Sequence, residues 1–223
     1  MTSNSKKNIF LDLDETLISS IETEDIDIDK INKKFNYHIM EKTYVVIERP
    51  NLQDFLDYLF DNFNVSVWTA ADKDYATFII DKIILNKKSR KLDLVLFKYH
   101  CNISKQQYGN TKSLRLIWEN KNLKEYNENN TIIIDDYDDV WNYQRDNCIR
   151  APQFEYSNKD SLDDDFLSSS SKLRKTLEKF KKSKNTEVIK DMIVKVEKDP
   201  EIESFFKDSN KSKKSSNKKI KKT

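Results

Sequence analysis

Four aspartates in two short clusters carry the chemistry legible in this chain. Asp12 and Asp14 stand in Asn8-Ile9-Phe10-Leu11-Asp12-Leu13-Asp14-Glu15-Thr16-Leu17, and Asp135 and Asp136 follow Thr131-Ile132-Ile133-Ile134. An apolar run ending in acids reads as a buried strand that delivers charge to the carboxyl edge of a sheet, where open α/β folds place their ligands. Carboxylates crowded there raise one another's proton affinity and call for a cation. Asp12 and Asp14 are two apart, so in an extended segment both side chains start on one face. One can attack a small electrophile while the other moves protons. Such a pair suits hydrolysis of a phosphate monoester, a reaction so slow without catalysis that enzymes accelerate it by up to about 10²¹-fold. A covalent aspartyl phosphate splits that barrier into two steps, and Mg²⁺ held by the acids offsets the repulsion between an anionic nucleophile and an anionic substrate. A lysine and a hydroxyl beside the transferring group would complete the charge stabilisation.

These side chains need a scaffold, and strand and helix patterns alternate along the body of the chain. Residues 9–13 read as a buried strand and 44–47 as a second, β-branched one. Between them lies an acidic stretch, 22–29, then Phe35-Asn36-Tyr37-His38-Ile39, which alternates as an exposed hairpin strand would; the segment reads as an insertion. Phe55, Leu56, Leu59, Phe60 and Phe63 recur at helical spacing after Pro50, and 65–69 reads as a strand ending on the Thr69 hydroxyl. A helix follows over 71–85 with Tyr75, Phe78, Ile79 and Ile83 inward, then a strand over 92–97, a short helix over 114–118 and a strand over 131–134. A long helix is expected over 164–182, and 186–206 is amphipathic, with Val188, Ile189, Met192, Ile193 and Val196 on one side and Pro200 as a break. The pattern predicts an α/β fold: a mostly parallel sheet with helices on both faces, a small β-hairpin insertion and no large cap domain.

Composition excludes several alternatives. The chain has 223 residues, 37% hydrophobic and 35% charged, enough for one core with a heavily solvated surface or a disordered portion. Its mean hydropathy is -0.81. No run approaches the roughly 18–20 apolar residues of a spanning helix, and the N-terminus leads straight into a strand, so a soluble intracellular protein is expected, with no membrane partner. Two isolated cysteines, Cys101 and Cys148, and two histidines support neither a disulfide framework nor a zinc cluster. The single glycine, Gly109, excludes a Walker loop and a Rossmann fingerprint, both of which need several. The net charge of +2 conceals a basic end: residues 207–223 hold eight lysines against one aspartate, a net of +7, leaving -5 for residues 1–206. With almost no apolar content, that tail is expected to be disordered. Its composition admits a nuclear-import signal, a weak salt-sensitive contact with nucleic acid, or a role in solvation alone.

The ordered landmarks resemble the haloacid dehalogenase superfamily, and within it the phosphatases acting on the C-terminal domain (CTD) of RNA polymerase II, including the small CTD phosphatase type. Leu11-Asp12-Leu13-Asp14-Glu15-Thr16-Leu17 is similar to their first motif, and Glu48-Arg49-Pro50, Trp68-Thr69-Ala70 and Ile134-Asp135-Asp136 follow in the family's order. The resemblance runs from about Asn8 to Leu177. It implies that Asp12 is the nucleophile and Asp14 the general acid and later base, with Thr16 steadying their loop. It implies that Thr69 and Lys112 bind phosphate, and that Asp136, with Asp135 beside it, holds Mg²⁺ together with the Asp12 carboxylate and the Asp14 carbonyl. Tyr75 matches an aromatic that helps form a substrate pocket for a proline. Where relatives carry an arginine that helps bind phosphate, before the lysine motif, this chain has Lys98, which the resemblance implies as its phosphate-binding replacement, a point charge without the bidentate fork. The organisation implied is a catalytic domain over 1–182, a helical segment over 183–206 and the Lys-rich tail over 207–223. The activity implied is Mg²⁺-dependent dephosphorylation of phosphoserine or phosphothreonine in a protein, the CTD among the candidate substrates and the nucleus among the candidate locations. Nucleotide or polynucleotide phosphates, or a phospho-binding role without turnover, are the alternatives.

Overall fold

The computed structural model describes residues 6–31 and 33–192. The expectations for residues 193–206 and for the tail lie outside the described residues. Five strands form an all-parallel sheet in the order β6-β5-β1-β7-β8, comprising β1 (Asn8–Leu11), β5 (Asn64–Trp68), β6 (Val95–Leu96), β7 (Thr131–Asp135) and β8 (Cys148–Arg150). β1 lies at the centre, with Leu11 in register with Val67 on one side and Ile134 on the other. Three parallel strands therefore end at one edge, and the residues that follow them meet there.

Near-continuous apolar runs are what a sheet buried on both faces requires. Ile9, Phe10 and Leu11 are all fully buried but point to different layers. Ile9 and Leu11 join Val65, Val67, Ile132 and Ile134 in a core covered by α1 (Leu52–Asn62), α2 (Lys73–Ile79) and α6 (Lys172–Lys182). Phe10 joins Trp68 and Ile133 in a second core, covered by α3 (Lys98–Tyr108), α4 (Arg115–Trp118) and α5 (Asp138–Tyr143). Each such side chain contributes about 1.5–3 kcal/mol when withdrawn from water, so β1 is pinned from both faces.

The inserted hairpin, residues 37–48, is present and is joined by a third strand. β2 (Ile18–Glu22), β3 (Tyr37–Met40) and β4 (Tyr44–Glu48) form a separate antiparallel sheet in the order β2-β4-β3. Residues 44–48 thus belong to this sheet and not to the parallel one. Phe35 precedes the exposed strand and is buried with Ile31, Val45, Ile47 and Phe154 in a small third core.

Several elements differ from the sequence pattern. The helix expected over 71–85 is α-helical only over Lys73–Ile79 and widens into a π turn over Ile80–Ile84. The strand expected over 92–97 shortens to Val95–Leu96 at the sheet edge. The helix expected from 164 starts at Lys172, where Ser171 Oγ accepts the Arg174 N–H at 3.0 Å as an N-cap. Residues upstream stay in turns because Asp164 is committed to Arg49. Residues 187–192 form a 3₁₀ turn, with Ile189 buried on the main core.

Candidate active site

The parallel register brings both acid clusters to one place. Asp12 continues β1 by donating its N–H to Ile134 O at 3.0 Å, beside the end of β7. The chain then turns sharply: Glu15 takes φ +57°, and Leu17 N–H closes back onto Leu13 O at 2.8 Å. A positive φ is costly for a residue with a β-carbon and persists only where the surroundings hold it. Here the Arg49 guanidinium holds the loop by donating to Thr16 O at 2.9 Å. Thr16 in turn donates its hydroxyl to Asp136 Oδ1 at 3.0 Å, linking the two clusters.

Lys112 arrives from the opposite layer. α3 ends on Gly109 at φ +75°, the left-handed cap that glycine adopts without strain. Asn110 then accepts the Lys112 N–H on its side-chain oxygen at 3.0 Å and donates its amide to Asp139 O at 3.0 Å. Ser104 Oγ donates to Asn110 O at 2.7 Å, and Gln144 donates to Lys112 O at 2.8 Å. So fixed, Lys112 buries its ammonium between two carboxylates, 2.6 Å from Asp12 Oδ1 and 2.7 Å from Asp135 Oδ2. Burial alone would discharge it, but Asp12 and Asp135 hold its pKa above the ordinary lysine value.

The acids outnumber that cation. Asp12, Asp135 and Asp136 each bring a carboxylate oxygen within 4.8 Å of the others'. Asp135 also accepts the Tyr137 N–H at 2.9 Å. Burial, then the charges of Asp135 and Asp136, push the Asp12 carboxyl well above its usual range against the pull of Lys112. One ammonium among three carboxylates leaves net negative charge in a buried place. An all-oxygen donor set of that charge fits a hard divalent cation.

Asp14 stands apart from this trio. Its Oδ1 accepts the Tyr75 hydroxyl at 2.5 Å, and Tyr75 is hydrogen bonded to Ser20 Oγ as well. Burial raises the Asp14 pKa, and the Tyr75 bond partly counters it. The Tyr75 ring meets Tyr44 edge-on, with centroids 5.7 Å apart. At the end of β5, Thr69 is fully buried; its Oγ1 accepts the Ala71 N–H at 3.0 Å, and no described residue accepts its own proton. Cys101 Sγ donates to Thr69 O at 3.4 Å and locks that turn.

Lys98 is the member of the expected set that stays outside. It opens α3 at the rim, more than half exposed, with Nζ 3.1 Å from the still more exposed Asp72. The buried acids are answered by Lys112, not by Lys98. Arg49, a landmark of the Glu48-Arg49-Pro50 motif with no role of its own in the sequence, holds the catalytic loop, and Ser20, which belongs to no motif, meets Tyr75. The signal at Lys112 was available: Asn two residues before a backbone N–H is a common Asx turn.

The family model described as NLI interacting factor-like phosphatase matches residues 7–192. A CTD phosphatase-like protein of Invertebrate iridescent virus 6 is 47% identical over 163 residues, covering 70% of this chain and 90% of that protein. A CTD phosphatase-like protein of Invertebrate iridescent virus 3 is 39% identical over 194 residues, covering 81% and 100%. Among solved structures, the fission yeast RNA polymerase II CTD phosphatase Fcp1 bound to beryllium fluoride aligns with a TM-score of 0.49 at 20% identity, covering 90% of this chain and 66% of that one. A further structure of Fcp1 aligns with a TM-score of 0.48 at 21% identity, covering 84% and 62%.

Proposed function

The chain belongs to the NLI interacting factor-like phosphatase family, and on that premise we propose a Mg²⁺-dependent phosphoprotein phosphatase that acts on phosphoserine and phosphothreonine through an aspartyl phosphate on Asp12. The observation that carries this reading is the buried Asp12, with Lys112 at 2.6 Å and two further carboxylates converging on it. In the first step a carboxylate oxygen of Asp12 forms a bond to phosphorus while the ester P–O bond breaks, and Asp14 gives its proton to the departing serine or threonine oxygen. In the second, Asp14 takes a proton from water, the water oxygen bonds to phosphorus, and the Asp12–phosphorus bond breaks to release inorganic phosphate. Lys112 and the Thr69 hydroxyl, whose proton no described residue accepts, stabilise charge on the transferring phosphoryl oxygens. Mg²⁺ bound by Asp12 and Asp136, with Asp135 beside them and the Asp14 carbonyl completing the set, would supply electrostatic neutralisation of nucleophile and phosphate.

Burial of Asp14 suits its part. A carboxyl whose pKa is raised keeps its proton nearer to neutrality, as a general acid must. Lys98, on the rim with Asp72, is read as a contact for the outer part of a substrate. Tyr75 contributes a wall beside Asp14. An extended phosphopeptide is the proposed substrate class, the CTD of RNA polymerase II among its members, in keeping with the names of the relatives.

The test is turnover of a phosphoserine peptide and of an aryl phosphate by the full chain, with and without Mg²⁺. Both are hydrolysed with Mg²⁺, and Asp12→Asn abolishes both. Undiminished release of phosphate by Asp12→Asn overturns the nucleophile assignment.

A further inference from the structure

The Tyr75 hydroxyl joins two parts of the fold. On one side it donates to Asp14 Oδ1, and on the other it is hydrogen bonded to Ser20 Oγ. Ser20 belongs to β2, opposite Val46 of β4, so it is presented by the inserted antiparallel sheet rather than by the parallel one. Its partly exposed side chain lines a cleft of about 280 Å³ that also reaches Asp14, Glu15 and Glu155.

The chemistry of the three groups orders their protons. An ionised carboxylate only accepts, so Tyr75 must spend its one proton on Asp14, and Ser20 must then donate to Tyr75. When Asp14 is protonated, two arrangements compete. If Ser20 still donates to Tyr75 and Tyr75 to Oδ1, the acid proton sits on Oδ2, free for a leaving group. If the chain reverses, the acid proton points from Oδ1 to Tyr75 and is lost to the reaction. Tyr75 is Ser20's hydrogen-bond partner among the described residues, and the order Ser20 to Tyr75 to Oδ1 that ionised Asp14 imposes leaves Oδ2 as the oxygen Tyr75 does not occupy, where an incoming proton binds without reversing the chain.

We propose that Ser20 is a positioning residue: acting through Tyr75, it keeps Asp14 Oδ1 an acceptor and the acid proton on Oδ2. The inserted sheet thereby takes part in the reaction. This inference rests on the reading of Asp14 as the general acid.

Leaving-group dependence tests it. The alkoxide of a phosphoserine peptide is a poor leaving group that needs the acid proton, whereas 4-nitrophenolate leaves as a stable anion and needs it little. The readout, on the full chain with Mg²⁺, is the ratio of kcat/KM for the two substrates, which reports phosphoryl transfer to Asp12 and not the later hydrolysis that both substrates share. Asp14→Asn lowers the peptide rate about 10²- to 10⁴-fold more than the aryl rate. Tyr75→Phe gives a selective loss of roughly tenfold, Ser20→Ala shifts the ratio the same way by about threefold or more, and Ser20→Thr, which keeps the hydroxyl on a β-branched residue suited to a strand, restores it. A merely structural role for Ser20 lowers both substrates alike. If Ser20→Ala does so, or if Ser20→Thr fails to restore the ratio, while Asp14→Asn still discriminates, the positioning role is overturned and the general acid stands. If Asp14→Asn itself lowers both alike, the general-acid reading fails and this inference with it.

Discussion

Lys112 and Asp135 pair at 2.7 Å with side-chain exposures of only 5% and 0%. Removing the cation from such a place leaves carboxylates buried without a countercharge, a loss of about 3–5 kcal/mol for a broken buried pair. Lys112→Met is therefore expected to destabilise the protein by that order in urea unfolding at pH 7. Because acid protonates the stranded carboxylates, the gap to the unsubstituted protein narrows as the pH is lowered. An equal gap at all pH values contradicts this account of the pair.

The same charge imbalance predicts how the protein responds to a divalent cation. Mg²⁺ at 100 times its Kd contributes about 2.7 kcal/mol, a rise in Tm of roughly 5–10 °C for a chain of this size. Asp136→Asn removes one of three crowded charges, so without metal it is expected to be neutral or stabilising, while its gain from Mg²⁺ falls. Thermal melts with Mg²⁺ and with EDTA read both effects. Equal shifts in the two proteins contradict a role for Asp136 in metal binding.

Strands buried on both faces were legible in the sequence because their signal is a continuous apolar run: β1, β5 and β7 lie where those runs stand. The acids fall next to one another because parallel strands end at a shared edge, so this juxtaposition was legible too. What escaped were elements without such a signal. Of the eleven residues of α3 only Cys101 and Ser104 are buried, which leaves no apolar stripe to read. β8 has three residues, and β2, Ile-Ser-Ser-Ile-Glu, is a strand because of its pairing with β4 rather than its composition. The Lys112 contact with Asp135 and the Ser20 contact with Tyr75 span 23 and 55 residues, and nothing local in the chain encodes either.

Arg49 offers a third prediction. Its guanidinium is almost fully buried, bonds both Asp164 oxygens at 2.9 and 2.6 Å, and donates to the carbonyls of Thr16 and Pro152 at 2.9 Å each. Phe154 and Phe166 flank it at 5.5 and 4.6 Å. Arg49→Met is expected to cost about 3–5 kcal/mol, and Arg49→Lys to recover little, since an ammonium cannot reproduce the planar fork. Urea midpoints decide it. A Lys variant as stable as the unsubstituted protein contradicts the clamp.

A fourth concerns acid stability. Burial would raise the Glu48 carboxyl, but hydrogen bonds from His38 at 2.9 Å, Gln53 at 3.0 Å and Asn36 hold it below the ordinary 4.5. A carboxylate depressed in the folded state contributes stability above its unfolded pKa and loses it as the pH falls through the folded value. Glu48→Gln is thus expected to cost about 1–3 kcal/mol at pH 7, and the cost should shrink below about pH 4.5. A cost that grows on acidification reverses the sign and rejects the assignment.

The most direct measurement for the central claim is chemical trapping of the intermediate. Full-length protein turning over a phosphoserine peptide with Mg²⁺ is quenched, treated with borohydride, which reduces an acyl phosphate to the alcohol, and mapped by mass spectrometry. The account predicts reduction at Asp12 alone, dependent on both substrate and Mg²⁺. Reduction at another carboxylate, or steady phosphate release with Asp12 intact after rapid quenching, contradicts it.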